Sequence, residues 1–542
     1  MSKENLIILG EGPVIDHTVG VSSLSEYVFQ SLKNHNNKCA IIDGITGESI
    51  TYREILDKAL ILVKFFRTKN IRRHDVVQLC CENGIEFAVV AFATILQGAI
   101  LSPLSPRYVT REIKHVIDLT TPKIVFSTPS AMDMIVEVCK GVPSVKDIVV
   151  LGKTSNYPSL NSILQDSKYN MNLRDYELPK NRDRENDDAF ILMSSGTTGL
   201  PKGVVLTDLN MLEAFGNLEE TKKSIFGAPD VSSLAILPWF HSYGFVTFVC
   251  MATRGVKCIS LPKFEDKSFL RVIQDHKIFH MFLVPPIMVF LAKSPLIPKY
   301  DLSCIKELFY GAAPLGKGIA DEIFQRLPNV KKIQQAYGMT ETTLTVMGMR
   351  REDTAKGSIG QVTAKTLCKI VDPETGEILG PNKPGELCVK GPSIMKGYYK
   401  NPKATAETIR DGWLHTGDIG YYDDQKNFFI VDRLKELIKY NGFQVAPAEL
   451  EGLIITHPAV REAAVIGIPD PKAGELPTAF VVKRDNVEVS AEEIANFVAE
   501  KVSNPKKLRG GVHFLQEIPK NPTGKILRRV LRDKFKIPAS KL

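Results

Sequence analysis

Between residues ~20 and ~180 the chain alternates stretches of helical periodicity with short, almost wholly apolar runs. Tyr52–Arg67 gathers its apolar residues on one helical face, and Val76–Cys81 follows as a strand. Thr110–Leu119 repeats the helical pattern and Ile124–Phe126 the strand. Strands apolar on both faces must be covered on both sides, and a helical crossover returns the chain parallel to the strand it left. The pattern therefore predicts an α/β fold built on parallel sheet.

At 542 residues the chain is too long for one hydrophobic core, because single cores stop growing near ~250–300 residues. From about residue 360 to 432 the texture changes to short strands separated by turns such as Pro373-Glu374-Thr375-Gly376, Pro381-Asn382 and Asp423-Asp424, a β-rich subdomain. After Asp432-Arg433-Leu434-Lys435 it changes again, to a compact α+β domain of about 110 residues. There Ser490-Ala491-Glu492-Glu493 has the form of a capping box. The helix it opens has the apolar face Ile494, Phe497, Val498 and Val502; a strand Val512–Leu515, a Pro-rich loop and a basic helix from about Ile526 follow. The expected division is a body over 1–432, with the β-rich part at its end, and a C-terminal domain over 433–542.

Hydrophobic residues make up 44% and charged residues 24%, as in ordinary globular proteins. The net charge of +8, from 69 Lys+Arg against 61 Asp+Glu, is mild and gives no reason to expect nucleic acid as a partner. It reads either as scattered solvated charge or as a basic face for phosphorylated small molecules. The cysteine count of nine is odd and no CxxC occurs, so neither a zinc site nor a disulfide framework is expected and an intracellular compartment is. The start, MSKENLIILGEGPV, lacks a secretory signal. The apolar run Phe87–Leu101 is broken by Thr94, Gln97 and Gly98 and is shorter than the ~20 residues that span a bilayer, so a buried helix is expected and no transmembrane segment. The chain ends Ser540-Lys541-Leu542, an address read by the peroxisomal import receptor, and the expected localisation is the peroxisome.

The segment richest in chemistry is Ser194-Ser195-Gly196-Thr197-Thr198-Gly199-Leu200-Pro201-Lys202-Gly203, which follows the apolar strand Ala189–Met193. Small residues let N–H groups and hydroxyls converge on phosphate oxygens, and Lys202 adds a positive charge. It is no Walker A loop, because G-x-x-x-x-G-K-[ST] cannot be laid on it. By itself it would read as a flexible Ser/Gly loop; a buried strand before it and Pro-Lys-Gly after it favour a phosphate loop.

Four further segments follow in order: Tyr337-Gly338-Met339-Thr340-Glu341-Thr342, Gly412-Trp413-Leu414-His415-Thr416-Gly417-Asp418, Asp432-Arg433-Leu434-Lys435 and Asn521-Pro522-Thr523-Gly524-Lys525. The five together resemble the phosphate loop, Y-G-x-T-E, G-W-x-x-T-G-D, hinge and P-x-G-K motifs of the adenylate-forming superfamily. Acyl-CoA synthetases, 4-coumarate–CoA ligases and beetle luciferases belong to it, and the likeness covers nearly the whole chain.

The resemblance implies a large body and a small mobile lid that use ATP, Mg²⁺ and coenzyme A. A carboxylate oxygen attacks the α-phosphorus and pyrophosphate leaves; the acyl group then passes to the thiol. Since two anions must meet, catalysis is chiefly positioning and charge neutralisation. By resemblance Lys525 is the cation meeting carboxylate and α-phosphate, although taken alone it is one solvated lysine in a basic tail. Glu341 coordinates Mg²⁺, and Thr340 bonds the phosphate. Asp418 and Arg433 serve the ribose, while Gly311, Ala312, Ala313 and the ring of Tyr337 with Gly338 form the adenine wall. The ATP set also includes Ser194, Ser195, Gly196, Thr197, Thr198, Gly199 and Lys202. Lys435 is the pivot, and rotation of the lid would exchange Lys525 for the face carrying Lys439 and Gly442. His241 matches the family's histidine beside the acyl pocket, with a gating or orienting role; a packed core histidine is the alternative.

For the acid, the beetle luciferases carry an arginine at the position aligned with Ala214 and a small Ser-Ala pair where this chain has Leu344-Thr345. Losing the arginine and gaining Leu344 makes the pocket less polar, and each buried CH₂ is worth ~0.8 kcal/mol. A medium- or long-chain fatty acid is therefore the expected substrate, with a luciferase or an aromatic acid–CoA ligase as alternatives.

Overall fold

The computed structural model describes residues 6–12, 14–152, 156–194, 201–221, 231–313, 315, 318–349, 357–434, 436–441, 443–485, 487–520 and 526–534. Local signals in the sequence set several element ends. Thr51 and Glu54 exchange both capping bonds (2.8 and 3.2 Å) and so start the helix Tyr52–Thr68, satisfying two N–H groups that the helix itself cannot. The run Phe87–Leu101 is divided between the helix Ile85–Gln97 and the strand Ile100–Leu104, with Gly98 closing the helix at φ +71°. Its residues from Phe87 to Leu96 are all buried. Among the described residues no helix is long and apolar enough to cross a membrane.

Two sheets carry the body. In the first, parallel strands run in the order Asp188–Ser194, Ile100–Leu104, Val76–Cys80, Ile124–Ser127, Asp147–Val150. Lys202–Thr207 and then Gly397–Tyr398 extend its first edge antiparallel. In the second, Lys332–Met339, Glu307–Tyr310, His280–Leu283, Ser232–Ala235, Lys257–Ser260 and Cys39–Asp43 lie side by side in parallel. Antiparallel strands close both its edges. Helices Ile85–Gln97 and Ser242–Thr253 pack together through Phe92 and Phe248 (ring centroids 5.6 Å), and one continuous apolar core runs through both sheets.

A third sheet, antiparallel throughout, is built mainly from Leu367–Val371, Gly385–Lys390, Trp413–Tyr422 and Phe428–Arg433. The stretch 360–432 does not pair only with itself. Ile8–Leu9 joins this sheet, whereas Gln361–Val362 and Gly397–Tyr398 belong to the two body sheets. Turn spacing cannot show such pairings, since strand partners are chosen by contacts distant in sequence.

The fourth sheet uses residues 438–514 alone. Along Val460–Asp470, Ala463 and Val465 face one apolar cluster while Ala464 and Ile466 face another, so both sheet faces are buried. The expected capping box at Ser490 is half made: Ser490 Oγ accepts from the Glu493 N–H at 3.0 Å, but the Glu493 carboxylate sits near His457 (3.7 Å). The helix ends at Ala499, and Val502 packs on the same cluster from beyond it. None of the nine cysteines is disulfide-bonded. The whole is an α/β body with a β-rich sheet and a small α+β C-terminal part.

Candidate functional site

Several of the described candidate residues lie at or just beyond the carboxyl ends of parallel strands, where open α/β sheets leave a crevice. Ser194 ends one strand, Gly311 follows Glu307–Tyr310, Tyr337 lies near the end of Lys332–Met339, and His241 follows Ser232–Ala235. Ser194 pairs with Lys202 across an antiparallel hairpin. The loop Ser195, Gly196, Thr197, Thr198 and Gly199 lies outside the described residues, but its two ends are thereby held side by side.

Glu341 is the hub of one cluster of candidate residues. It is buried in the single turn Thr340–Thr342, and its Oε1 accepts from both Ser194 Oγ and the Tyr398 hydroxyl, each at 2.9 Å. Its backbone carbonyl accepts from the Met395 N–H (2.9 Å). Lys202 Nζ stands 4.6 Å from the centre of the Tyr398 ring, a cation–π contact. Thr340 and Ser242 hydroxyls lie 3.1 Å apart. Among the described residues both side-chain donors to Glu341 act on Oε1, so Oε2 could meet a cation. A hard ion bound by one carboxylate and by substrate phosphates suits Mg²⁺, so the donor set fits the expected metal.

A second cluster is organised by Asp418. Its Oδ2 accepts from the Tyr337 hydroxyl at 2.7 Å and its Oδ1 lies 3.1 Å from Arg433 Nε. Asp418 and Arg433 are cross-strand partners, which places the ion pair by register. Burial, reinforced by the Asp418 charge, holds the Tyr337 hydroxyl well above the usual phenol range, so it remains a donor. Burial opposes the Arg433 charge, but Asp418 and Glu436 outweigh it and raise its pKa. Gly338 is dictated by packing: a Cβ there would stand 1.4 Å from the Leu344 carbonyl oxygen. Gly311 faces the Tyr243 ring, with a built Cβ 3.7 Å from it; Ala312, at φ +72°, and Ala313 turn the chain away.

His241 precedes the helix Ser242–Thr253, whose first turn bonds to its carbonyl (Phe245 N–H, 2.8 Å). Its Nε2 is sealed from solvent with no hydrogen-bond partner among the described residues. Burial depresses its pKa to about 4, so the ring is neutral at physiological pH. An orphaned, neutral ring nitrogen can orient a polar substrate group, whereas it is a poor base.

Lys439 is exposed on the strand Ile438–Tyr440, and its N–H donates to Glu475 (2.9 Å). It is not brought to the Glu341–Asp418 cluster by any hydrogen bond or ion pair among the described residues. Lys525, Lys435, Gly442 and the terminal Ser540-Lys541-Leu542 lie outside those residues. Around the hinge, Asp432 Oδ2 accepts from the Ala448 N–H (2.9 Å) at the start of the helix Pro447–Ile454. Arg528 bridges Glu436 (2.8 Å) and Glu451 (2.7 Å), with all three side chains no more than 11% exposed.

Tyr398, Ser242, Arg528 and Glu386, which accepts from the Gly417 N–H, are not legible in the sequence, because nothing local distinguishes them from ordinary sheet or helix residues. The only trace was Tyr398's position within Gly397-Tyr398-Tyr399, a small-aromatic run in an otherwise polar stretch.

Comparison with known proteins shows the family of the chain. The AMP-binding enzyme family matches residues 28–399, and the AMP-binding enzyme C-terminal domain matches 449–525. A luciferin 4-monooxygenase of Photuris pensylvanica is 39% identical over 539 residues, covering 98% of each chain. A probable 4-coumarate–CoA ligase 1 of Dictyostelium discoideum is 36% identical over 545 residues, covering 98% of this chain and 97% of that one. ATP-bound MatB from Rhodopseudomonas palustris superposes with a TM-score of 0.85 at 28% identity, over 95% of this chain and 99% of that one. With the family model matching residues 28–399 and these relatives matched nearly end to end, the chain belongs to the AMP-binding enzyme family of adenylate-forming enzymes, in the group of luciferases and 4-coumarate–CoA ligases.

Proposed function

We propose that the protein is an AMP-forming fatty acid–CoA ligase acting on medium- or long-chain acids. The observation that carries the adenylating half is the paired arrangement of Glu341, held by Ser194 and Tyr398, and Asp418, held by Tyr337 and Arg433. One carboxylate is poised for the metal and phosphates, the other for the ribose, and both are positioned before substrate arrives. A bound Mg²⁺ on Glu341 would neutralise phosphate charge. The fatty carboxylate oxygen attacks the α-phosphorus as the bond to pyrophosphate breaks, with Lys202 and Lys525 offsetting charge and neutral His241 orienting the carboxylate. Coenzyme A's thiol, losing its proton, then attacks the acyl carbonyl carbon; the C–O bond to AMP breaks and the thioester remains. Lys439 and Gly442 serve this second step after the lid turns about Lys435.

The apolar acid is supported by two side chains. Leu344 is buried in the main core, and Ala214, 1% exposed on the helix Asp208–Thr221, belongs to the same apolar cluster. A peroxisomal location, read from Ser540-Lys541-Leu542, accords with fatty-acid metabolism. The second reading, a luciferase, is favoured by the likeness to the Photuris luciferin 4-monooxygenase. An aromatic acid–CoA ligase is favoured in the same way by the Dictyostelium relative.

Mass spectrometry on the purified protein with ATP, Mg²⁺, coenzyme A and fatty acids of graded length separates these readings. Fatty acyl-CoA and AMP support the proposal. Acyl-adenylate without thioester points to an oxygen-dependent fate, tested by light emission with a luciferin. Neither product from fatty acids, with thioester from a cinnamic acid, assigns an aromatic acid.

A further inference from the structure

Opposite the ribose cluster, the strands Gly385–Lys390 and Trp413–Tyr422 fall out of register. Glu386 pairs with Ile419 and Cys388 with His415, so the three residues Thr416, Gly417 and Asp418 stand against Leu387 alone. Such a bulge re-aims a side chain at the cost of ladder hydrogen bonds. Here side chains bond to backbone groups of the bulge. Glu386 Oε1 accepts from the Gly417 N–H (3.1 Å), and its Oε2 lies 2.7 Å from His415 Nδ1, which donates in the tautomer protonated there. Thr416 Oγ1 donates to the Leu387 carbonyl (2.8 Å) and accepts from the Asp418 N–H (3.1 Å). Gly417 takes φ +70°, the left-handed turn that points Asp418 towards Tyr337 and Arg433.

We propose that Glu386 is a positioning residue for nucleotide binding: its buried carboxylate pins the bulge that presents Asp418 to the ribose. This rests on the reading of Asp418 as the ribose ligand. Glu386 touches no substrate; it acts through the backbone of Gly417. Glu386, Cys388 and His415 bring three ligand atoms within 4.8 Å of one another. Both carboxylate oxygens already meet protein N–H donors, so the cluster is satisfied as a structural clamp.

The test is direct titration of the full-length protein with ATP and with 2′,3′-dideoxy-ATP, alongside thermal melting. Wild type prefers ATP. Glu386→Ala loses about 10-fold or more in ATP affinity while dideoxy-ATP is unchanged, as expected when a binding group is misplaced by a fraction of an ångström. Glu386→Gln keeps an oxygen to accept from Gly417 and restores most of the preference. If Glu386→Ala does not fold, Thr416→Val removes the other tie of the bulge and carries the same expectation. A wild-type preference in Glu386→Ala or Thr416→Val overturns the proposal alone, as does equal weakening for both nucleotides. Absence of any preference in wild type removes the ribose reading of Asp418 and the proposal with it.

Discussion

The Tyr398 hydroxyl donates to Glu341 Oε1 at 2.9 Å, joining a two-residue edge strand of one body sheet to the turn that follows the last parallel strand of the other. The same oxygen takes the Ser194 hydroxyl, and the Lys202 ammonium lies over the Tyr398 ring. The carboxylate is thus oriented from two sides before any metal arrives.

Removing that donor with Tyr398→Phe keeps the ring under Lys202 and loses one charge-assisted hydrogen bond, worth ~1.5–3 kcal/mol. The expected outcome is a roughly 10- to 100-fold fall in kcat/KM for ATP, with a higher Mg²⁺ concentration needed for half-maximal pyrophosphate release. Unchanged Mg²⁺ dependence would show that Tyr398 only packs.

On the proposed function, Lys525 and Lys439 should separate the two half-reactions. Lys525→Ala is expected to abolish acyl-adenylate formation while leaving the melting temperature unaltered, and Lys439→Ala to slow only thioester formation from preformed adenylate. Removing a residue that acts only in one transition state costs on the order of 100-fold or more in that step. Single-turnover assays of each step decide it, and equal impairment of both steps by Lys439→Ala contradicts a rotating lid.

His241 carries a pH signature. Its pKa is depressed from 6.5 to about 4 by burial. As pH falls below 6.5 the unfolded chain takes up a proton there that the folded chain refuses until about pH 4, so stability declines through that window and is level above it. The full loss is about 3 kcal/mol. His241→Gln should flatten the melting temperature between pH 6.5 and 4, and an identical slope in the variant would show that other groups set it.

Arg528 sits between two buried carboxylates, and burial, partly countered by Arg528 itself, raises the pKa of Glu451. Arg528→Met strands those charges and is expected to cost about 3–5 kcal/mol in chemical denaturation. Adding Glu436→Gln and Glu451→Gln should recover part of it, because the stranded charge, more than the lost packing, is the penalty.

Local chemistry wrote much of this protein into its sequence. Apolar strands alternating with amphipathic helices specify parallel sheet wherever they occur, and Thr51 with Glu54 starts a helix without outside help. Motif residues such as Glu341 and Asp418 were legible only through the resemblance of their motifs to those of the adenylate-forming superfamily, since a bare Thr-Glu pair or a lone Asp carries little signal by itself. What the tertiary structure alone decided lies between segments distant in the chain. Ser194, Glu341 and Tyr398 meet from three such segments, and Asp418 meets Tyr337 across two sheets. Glu386 holds the Gly417 turn from a neighbouring strand. Strand order, bulges and register set those encounters, and they arise from long-range packing that no window of sequence contains. The half-made cap at Ser490 and the transfer of Gly397–Tyr398 to a body sheet have the same origin, since a distant partner was closer in space than the local one.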